Sequence, residues 1–315
     1  MCDLFKELEA FGFKDLGSVE LFESKDENRR LSEFIAEQAK IGEDGNTEGG
    51  KLTLEKVKVQ EEYIFKKLIT CKVCDHKFEE RVVKKGKLRL KSNSIDLKPT
   101  FEHIEPLLYD VILCPNCGYT AITRNFEAIF GARSEWIKQR ITPSFINKDY
   151  PLVMSADEGI ERYKLALYNA IMRKSGSGER AFICMKIAWI YRDKGDKKNE
   201  MIFLKAACEG FIYAFKNEDM PICGIDENTL TYLIACFYKQ MGELKEAFKW
   251  ISPLVVSRTI EEHTRKKALD LRDDIKAELD EIERKSKASE ENASDGAGGK
   301  QKTSLKERLF GKSNK

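Results

Sequence analysis

Two cysteine pairs, Cys71-Lys-Val-Cys74 and Cys114-Pro-Asn-Cys117, place the strongest constraint on how this chain folds. In each pair the thiols lie three residues apart, the spacing at which both sulfurs reach one ion from the ends of a tight turn. Two such knuckles supply four sulfurs, the full tetrahedral shell of a structural zinc. Cys71, Cys74, Cys114 and Cys117 are therefore the candidate metal ligands, and the expected cofactor is a single structural Zn2+. Iron in a rubredoxin-like site is the weaker alternative, because Cys-Pro-x-Cys-Gly also serves iron. A redox dithiol would place its pair at the start of a helix, whereas the sequence after Cys74 reads as strand. Four thiolates leave no coordination position for a reacting water, so the site reads as structural. Asp75 and Gly118 follow the second cysteine of each pair, where the turn calls for a positive φ. Glycine adopts it without steric cost, and aspartate is among the few other residues that tolerate it. Closing the long stretch from Asp75 to Leu113 costs roughly 3 kcal/mol, against about 10–16 kcal/mol from a structural zinc.

Around these pairs the hydrophobic period divides the chain into an α+β fold. Residues 1–50 form an N-terminal extension, partly helical, in which Leu4, Phe5, Leu8, Phe11 and Phe13 line one side of a short helix; it ends in a glycine-rich linker. Residues 51–122 read as a small β-rich zinc ribbon. Near-alternation of Leu52, Leu54, Val57 and Val59 suggests a strand. A turn at Lys84–Lys87 suggests a hairpin joining 78–83 to 88–91. Residues 92–106 look like loop, and Tyr109–Leu113 reads as a buried strand leading to the second knuckle. Residues 123–283 form an all-α, TPR-like domain, with a Ser155-x-x-Glu158 capping box opening one helix. Residues 284–315 are rich in Lys, Ser, Gly and Glu and read as a disordered basic tail.

A net charge of +2 argues against a surface that binds polyanions as a whole, so any cationic site must be local. One candidate exists. Arg81, Lys84, Lys85, Lys87, Arg89 and Lys91 bring six positive charges and no acid into eleven residues, and a ribbon with one cationic face can grip phosphates. The run lacks aromatic residues for base stacking, and Glu79 and Glu80 precede it. A solvated, lysine-rich edge that blocks strand addition is the blander reading. No run of 18 apolar residues occurs and the N-terminus lacks the apolar core of a secretory signal, so no membrane partner is expected. Cys184, Cys208, Cys223 and Cys236 are scattered through helical sequence, as in a reducing cytoplasm.

In the helical half two stretches share a register. Ala188, Tyr191 and Gly195 recur as Ala235, Tyr238 and Gly242, a pattern resembling the tetratricopeptide helix-turn-helix, in which the small residue lets helices approach and the glycine ends the first of them. Ala247, Ile251 and Leu254 continue the second copy, while Glu200 stands where the first copy should have a small residue. Such arrays expose a concave groove for a partner peptide.

Taken together, Cys71-Lys-Val-Cys74 with Phe78, the string Tyr109-Asp-Val-Ile-Leu-Cys-Pro-Asn-Cys-Gly-Tyr119 and Ala188-Trp-Ile-Tyr-Arg192 resemble the bacterial family catalogued as domain of unknown function 2225. The resemblance covers roughly residues 60–260. It implies a zinc ribbon joined to a TPR-like helical domain in a bacterial cytoplasm, and it implies no activity.

The function expected from these readings is that of a non-enzymatic scaffold whose helical repeats bind a protein partner. Nucleic-acid binding through residues 81–91 is the alternative. An enzyme is a third reading, with Tyr109 and Asp110 or Asp157 and Glu158 as acid–base groups. No phosphate loop or nucleophile elbow accompanies them, so no catalytic residue is assigned and no small-molecule substrate is evident.

Overall fold

The computed structural model describes residues 4–14, 16–40, 54–257 and 260–298; the glycine-rich linker and the last residues of the tail lie outside that set. A short 3-10 helix, Lys6–Phe11, precedes α1 (Lys25–Lys40) and α2 (Leu54–Glu61). Three antiparallel two-stranded sheets follow: β1 (Ile64–Thr70) with β2 (Lys77–Val83), β3 (Leu90–Asn93) with β4 (Pro99–Phe101), and β5 (Val111–Leu113) with β6 (Thr120–Ile122). The rest is helical: α3 (Thr123–Phe126), α4 (Ala132–Arg140), α5 (Ala156–Met172), α6 (Ser177–Lys194), α7 (Lys197–Asn217), α8 (Glu227–Gln240), α9 (Leu244–Val256) and α10 (Glu262–Gly298).

Local chemistry explains the helix ends. Ser155 accepts from the Glu158 amide while the Glu158 carboxylate accepts from the Ser155 amide, completing the capping box of α5. The Asp196 and Asp226 carboxylates accept from the Asn199 and Thr229 amides at the starts of α7 and α8. Gly195, with φ of +80°, ends α6, and Gly242, with φ of +78°, follows α8. The chain thus folds back twice, as hairpins α6–α7 and α8–α9, with Ala188 and Ala235 fully buried.

One hydrophobic core runs through the molecule and includes both sheet knuckles and the helices. The described part of the N-terminal segment, residues 4–14 and 16–40, packs on it rather than trailing from it. Leu4, Phe5, Leu8, Phe11, Phe13 and Phe22 are buried, and the buried Lys164 ammonium on α5 meets both Glu7 carboxylate oxygens at 2.7 and 2.8 Å. The Arg180 guanidinium on α6 donates to the Leu21 carbonyl at 2.8 Å.

Three elements depart from expectation. Residues 54–61 are helix rather than strand: no neighbouring strand pairs with them, Lys, Glu and Gln favour helix, and Val57 packs on the small cluster of Ile64, Val83 and Tyr109. The hairpin across 81–91 does not form. β2 pairs instead with β1, whose turn is the first knuckle, and Lys85–Lys87 makes a 3-10 turn that sends the chain into β3. The alternation of Leu88 and Leu90 misled because Leu90 is 56% exposed and marks no buried face. Finally, α10 continues past position 284 to Gly298, carried by helix-favouring Lys, Glu and Ala and by the Glu281–Lys285 pair one turn apart.

Candidate metal centre

The two knuckles are built alike. In the first, the Cys71 amide donates to the His76 carbonyl (2.9 Å) and the Asp75 amide to the Cys71 carbonyl (3.0 Å). In the second, Cys114 and Gly118 make the corresponding bonds, to the Tyr119 and Cys114 carbonyls, at 2.9 and 3.0 Å. Asp75 has φ of +58° and Gly118 of +73°, so both turns close through the left-handed region. At Gly118 space matters as well: a Cβ there would lie 2.4 Å from Cγ of Phe145.

This folding brings Cys71, Cys74, Cys114 and Cys117 together, with all four sulfurs within 4.8 Å of one another. Cys71 Sγ lies 3.6 Å from Cys117 Sγ, and Cys74 Sγ lies 3.7 Å from Cys114 Sγ. Sulfurs on a tetrahedron of bond length 2.3 Å are about 3.8 Å apart, whereas a disulfide needs about 2.05 Å. The cluster is therefore shaped to hold a metal ion. Proton affinities agree. The Cys71 thiolate is stabilised by hydrogen bonds from Cys114 and Cys117, which lower its pKa. Bonds to Cys114 and Cys71 push the Cys117 thiol up. Sulfurs packed this closely resist common ionisation until a cation shares their charge. Three of the four are buried, and the Asn116 amide group approaches the fourth, Cys74, at 3.5 Å.

Helix α5 fixes this unit to the helices. The Asn169 side chain accepts from the Thr120 amide at 3.1 Å and donates to the Gly118 carbonyl at 3.3 Å, reading the backbone of the second knuckle. Arg162, also on α5, donates to the Glu80 carboxylate on β2 and to the Val111 carbonyl on β5. The sequence alone noted Glu80 only as an acid preceding the basic run. Its place as the second of two glutamates on a strand gave a hint, since alternation sends one of the pair inward.

Arg81, Lys84 and Lys87 of the basic run have partners within the fold. Arg81 is turned toward the Tyr150 carbonyl and Glu80; Lys84 donates to the Glu62 carbonyl; Lys87 reaches the Glu62 carboxylate and the Tyr63 ring. Lys85, Arg89 and Lys91 are exposed.

The groups considered as acid–base pairs have structural partners. The Tyr109 hydroxyl accepts from the Met154 amide, Asp110 pairs with Lys186, Asp157 pairs with Lys194, and Glu158 caps α5. A cleft of about 240 Å³ lies between β2, β4 and α6, and four of the charged groups lining it form ion pairs, Lys98 with Glu105 and Lys186 with Asp110.

A second constellation was invisible in the sequence. The loop between β3 and β4, residues 94–98, is seated against α6 and α8. Asp96, fully buried, receives Arg192 Nη1 at 3.0 Å, Arg192 Nη2 at 2.9 Å and Trp189 Nε1 at 2.9 Å. The Tyr232 hydroxyl and the Cys236 thiol both donate to the Ile95 carbonyl, at 3.0 and 3.4 Å. Glu200, the residue out of place in the repeat pattern, holds Arg192 from behind at 2.7 Å. Trp189 and Arg192 lie three apart, on one helix face; two donors so placed were the available signal.

A family model described as "Uncharacterized protein conserved in bacteria (DUF2225)" matches residues 64–279, well over half of the chain. The chain belongs to the DUF2225 family. That match begins at the first residue of β1 and so takes in both knuckles, the seated loop and both helical hairpins of this DUF2225 chain, while the N-terminal segment packed on its core lies before it. The chain is also 26% identical over 157 residues to an uncharacterized protein of Borreliella burgdorferi, covering 42% of this chain and 53% of that protein. It thus spans about half the length of the curated relative it matches. No solved structure matches it. No helix among the described residues is long and apolar enough to cross a membrane.

Proposed function

We propose that this DUF2225 chain is a non-enzymatic, zinc-bearing interaction protein of the bacterial cytoplasm. One observation carries the reading: four cysteine sulfurs from two matched knuckles lie within 4.8 Å of one another, and the two contacts between knuckles at 3.6 and 3.7 Å are close to the edge of a thiolate tetrahedron. Zinc is the ion that four soft sulfurs in that geometry favour, and a shell completed by protein supports a fold rather than a reaction. The ion ties β1–β2 to β5–β6, and α5 passes that rigidity to the helices. The TPR-like hairpins α6–α7 and α8–α9 then supply the surface that takes a protein partner.

The test has two parts. Purified full-length protein carries one zinc per chain by elemental analysis, and Cys71→Ser with Cys114→Ser carries almost none; iron, or no metal, overturns the zinc assignment. Affinity capture with nuclease present recovers one defined protein. Recovery that vanishes with nuclease overturns the protein-partner assignment in favour of nucleic acid.

A further inference from the structure

Going beyond the helical surface proposed above, we propose that the free edge of β1 takes an extended acidic segment of another protein as an added strand. The observation is a row of backbone groups that no strand takes up. β1 pairs only with β2, residue by residue from Ile64–Val83 to Thr70–Lys77. Beyond one end of this ladder the Lys84 amide donates to the Tyr63 carbonyl, and beyond the other the Cys71 amide donates to the His76 carbonyl. In an antiparallel pair such bonded residues alternate with residues whose N–H and C=O point the opposite way. Phe65, Lys67 and Ile69 therefore bond to β2, while Lys66 and Leu68 present their donors and acceptors outward. No other strand among the described residues meets them. Such an edge fixes the conformation of whatever covers it, because only an extended chain matches the repeat of its donors and acceptors.

Side chains on the edge set the chemistry of that segment. Phe65 and Leu68, 41% and 66% exposed, stand on opposite faces of β1, so an added strand covers apolar surface on both. Lys66 reaches Glu79 of β2 at 3.1 Å. Lys67 lies opposite Glu80, but that carboxylate is turned into the core and held by Arg162. Lys67 is thus left exposed, with no ion-pair partner among the described residues. An aspartate or glutamate opposite it on the incoming strand supplies the missing charge. No acid interrupts the two lysines of β1. A second copy of β1, paired antiparallel about Lys67, sets lysine against lysine, which the same rule disfavours.

The probe is a short fluorescein-labelled peptide of alternating valine and glutamate, titrated into the full-length protein and followed by fluorescence anisotropy. The unaltered chain binds it saturably. The same peptide N-methylated along its backbone, which cannot donate to a strand, binds about ten times more weakly or worse. A version with lysine for glutamate loses at least about as much, from like charges placed opposite Lys67. Leu68→Pro deletes one outward N–H and leaves the β1–β2 ladder its own bonds, and it weakens binding about ten-fold. Lys67→Gln weakens it about three-fold. Absence of saturable binding, equal binding of the methylated peptide, or indifference to the peptide's charge would each overturn the proposal. If Leu68→Pro does not fold, Lys67→Gln and the methylated peptide decide. Concentration-dependent dimerisation that Leu68→Pro abolishes assigns the edge to a second copy and overturns the proposal as well. Partner capture that succeeds while every peptide fails leaves the proposed function standing and refutes this edge as its site.

Discussion

Arg162 on α5 and Glu80 on β2 form a buried ion pair, with Nη2 2.6 Å from one carboxylate oxygen and Nη1 3.3 Å from the other. Neither side chain is more than 4% exposed. The Leu113 and Arg81 amides complete the shell of the carboxylate, and the Tyr150 ring lies 5.4 Å from the guanidinium. One pair thus joins β2 and β5 to the helical half. Ions taken this far from water are held only because each satisfies the other.

Glu80→Ala strands the buried guanidinium and lowers unfolding stability by about 3–5 kcal/mol. The double change Glu80→Leu with Arg162→Met costs less than Glu80→Leu or Arg162→Met alone, because no charge is left unpaired. Urea denaturation of the four proteins measures the cycle; a double mutant as damaged as the sum of its parts would contradict it.

With the proposed ion bound, a chelator that removes it exposes the four clustered thiols while leaving the helical cysteines protected. Peptide mapping after brief alkylation then finds label on Cys71, Cys74, Cys114 and Cys117, and none on Cys184, Cys208 or Cys236, which are buried among helices. Label on those three at the same rate would mean that the ion holds the whole molecule together rather than the sheets.

Three substitutions at left-handed positions separate torsional cost from crowding. Gly195→Ala has open space around its new Cβ and loses about 1–2 kcal/mol from torsion alone. Gly118→Ala bears the same torsional penalty and also drives a methyl into Phe145, so it loses more. Asp75→Gly relieves the first knuckle and raises stability by up to about 1 kcal/mol. Thermal melts rank the three, and the expected order is Asp75→Gly, Gly195→Ala, Gly118→Ala.

Seating of the loop 94–98 depends on pH in a defined direction. Burial opposes the charge of Asp96, but hydrogen bonds and attraction from Arg192, together with Ser94 and Trp189, outweigh it and hold its pKa below the ordinary value. A lowered pKa in the seated state means that the contribution is full above about pH 4, where a free aspartate ionises, and is lost as pH falls through the lowered value. The Trp189 indole N–H resonance reports it: constant near neutrality, shifting only in acid. Asp96→Asn, which has no proton to gain, shows no such step.

The cysteine pairs were legible because ligand spacing is short-range, set by one turn. Both positive-φ positions, the capping box and the glycine at the end of each first helix were legible for the same reason. Partners distant in sequence were not. The alternation from 78 to 91 was visible, but which strands pair depends on the knuckle acting as a hairpin turn, and that requires the ion-sized cluster formed with residues 114–117. Glu80 and Asp96 could not be singled out, because the arginines that bury them stand on helices far along the chain. Nor could composition place the N-terminal phenylalanines Phe5, Phe11, Phe13 and Phe22, which find their core against helices much later in the chain.

Residues 94–98 lie within a stretch whose two ends are drawn together where the knuckles meet. Seated on Trp189, Arg192 and Tyr232, that loop is also a strut running from the cysteine cluster to α6 and α8, so a disturbance at either end is transmitted to the other.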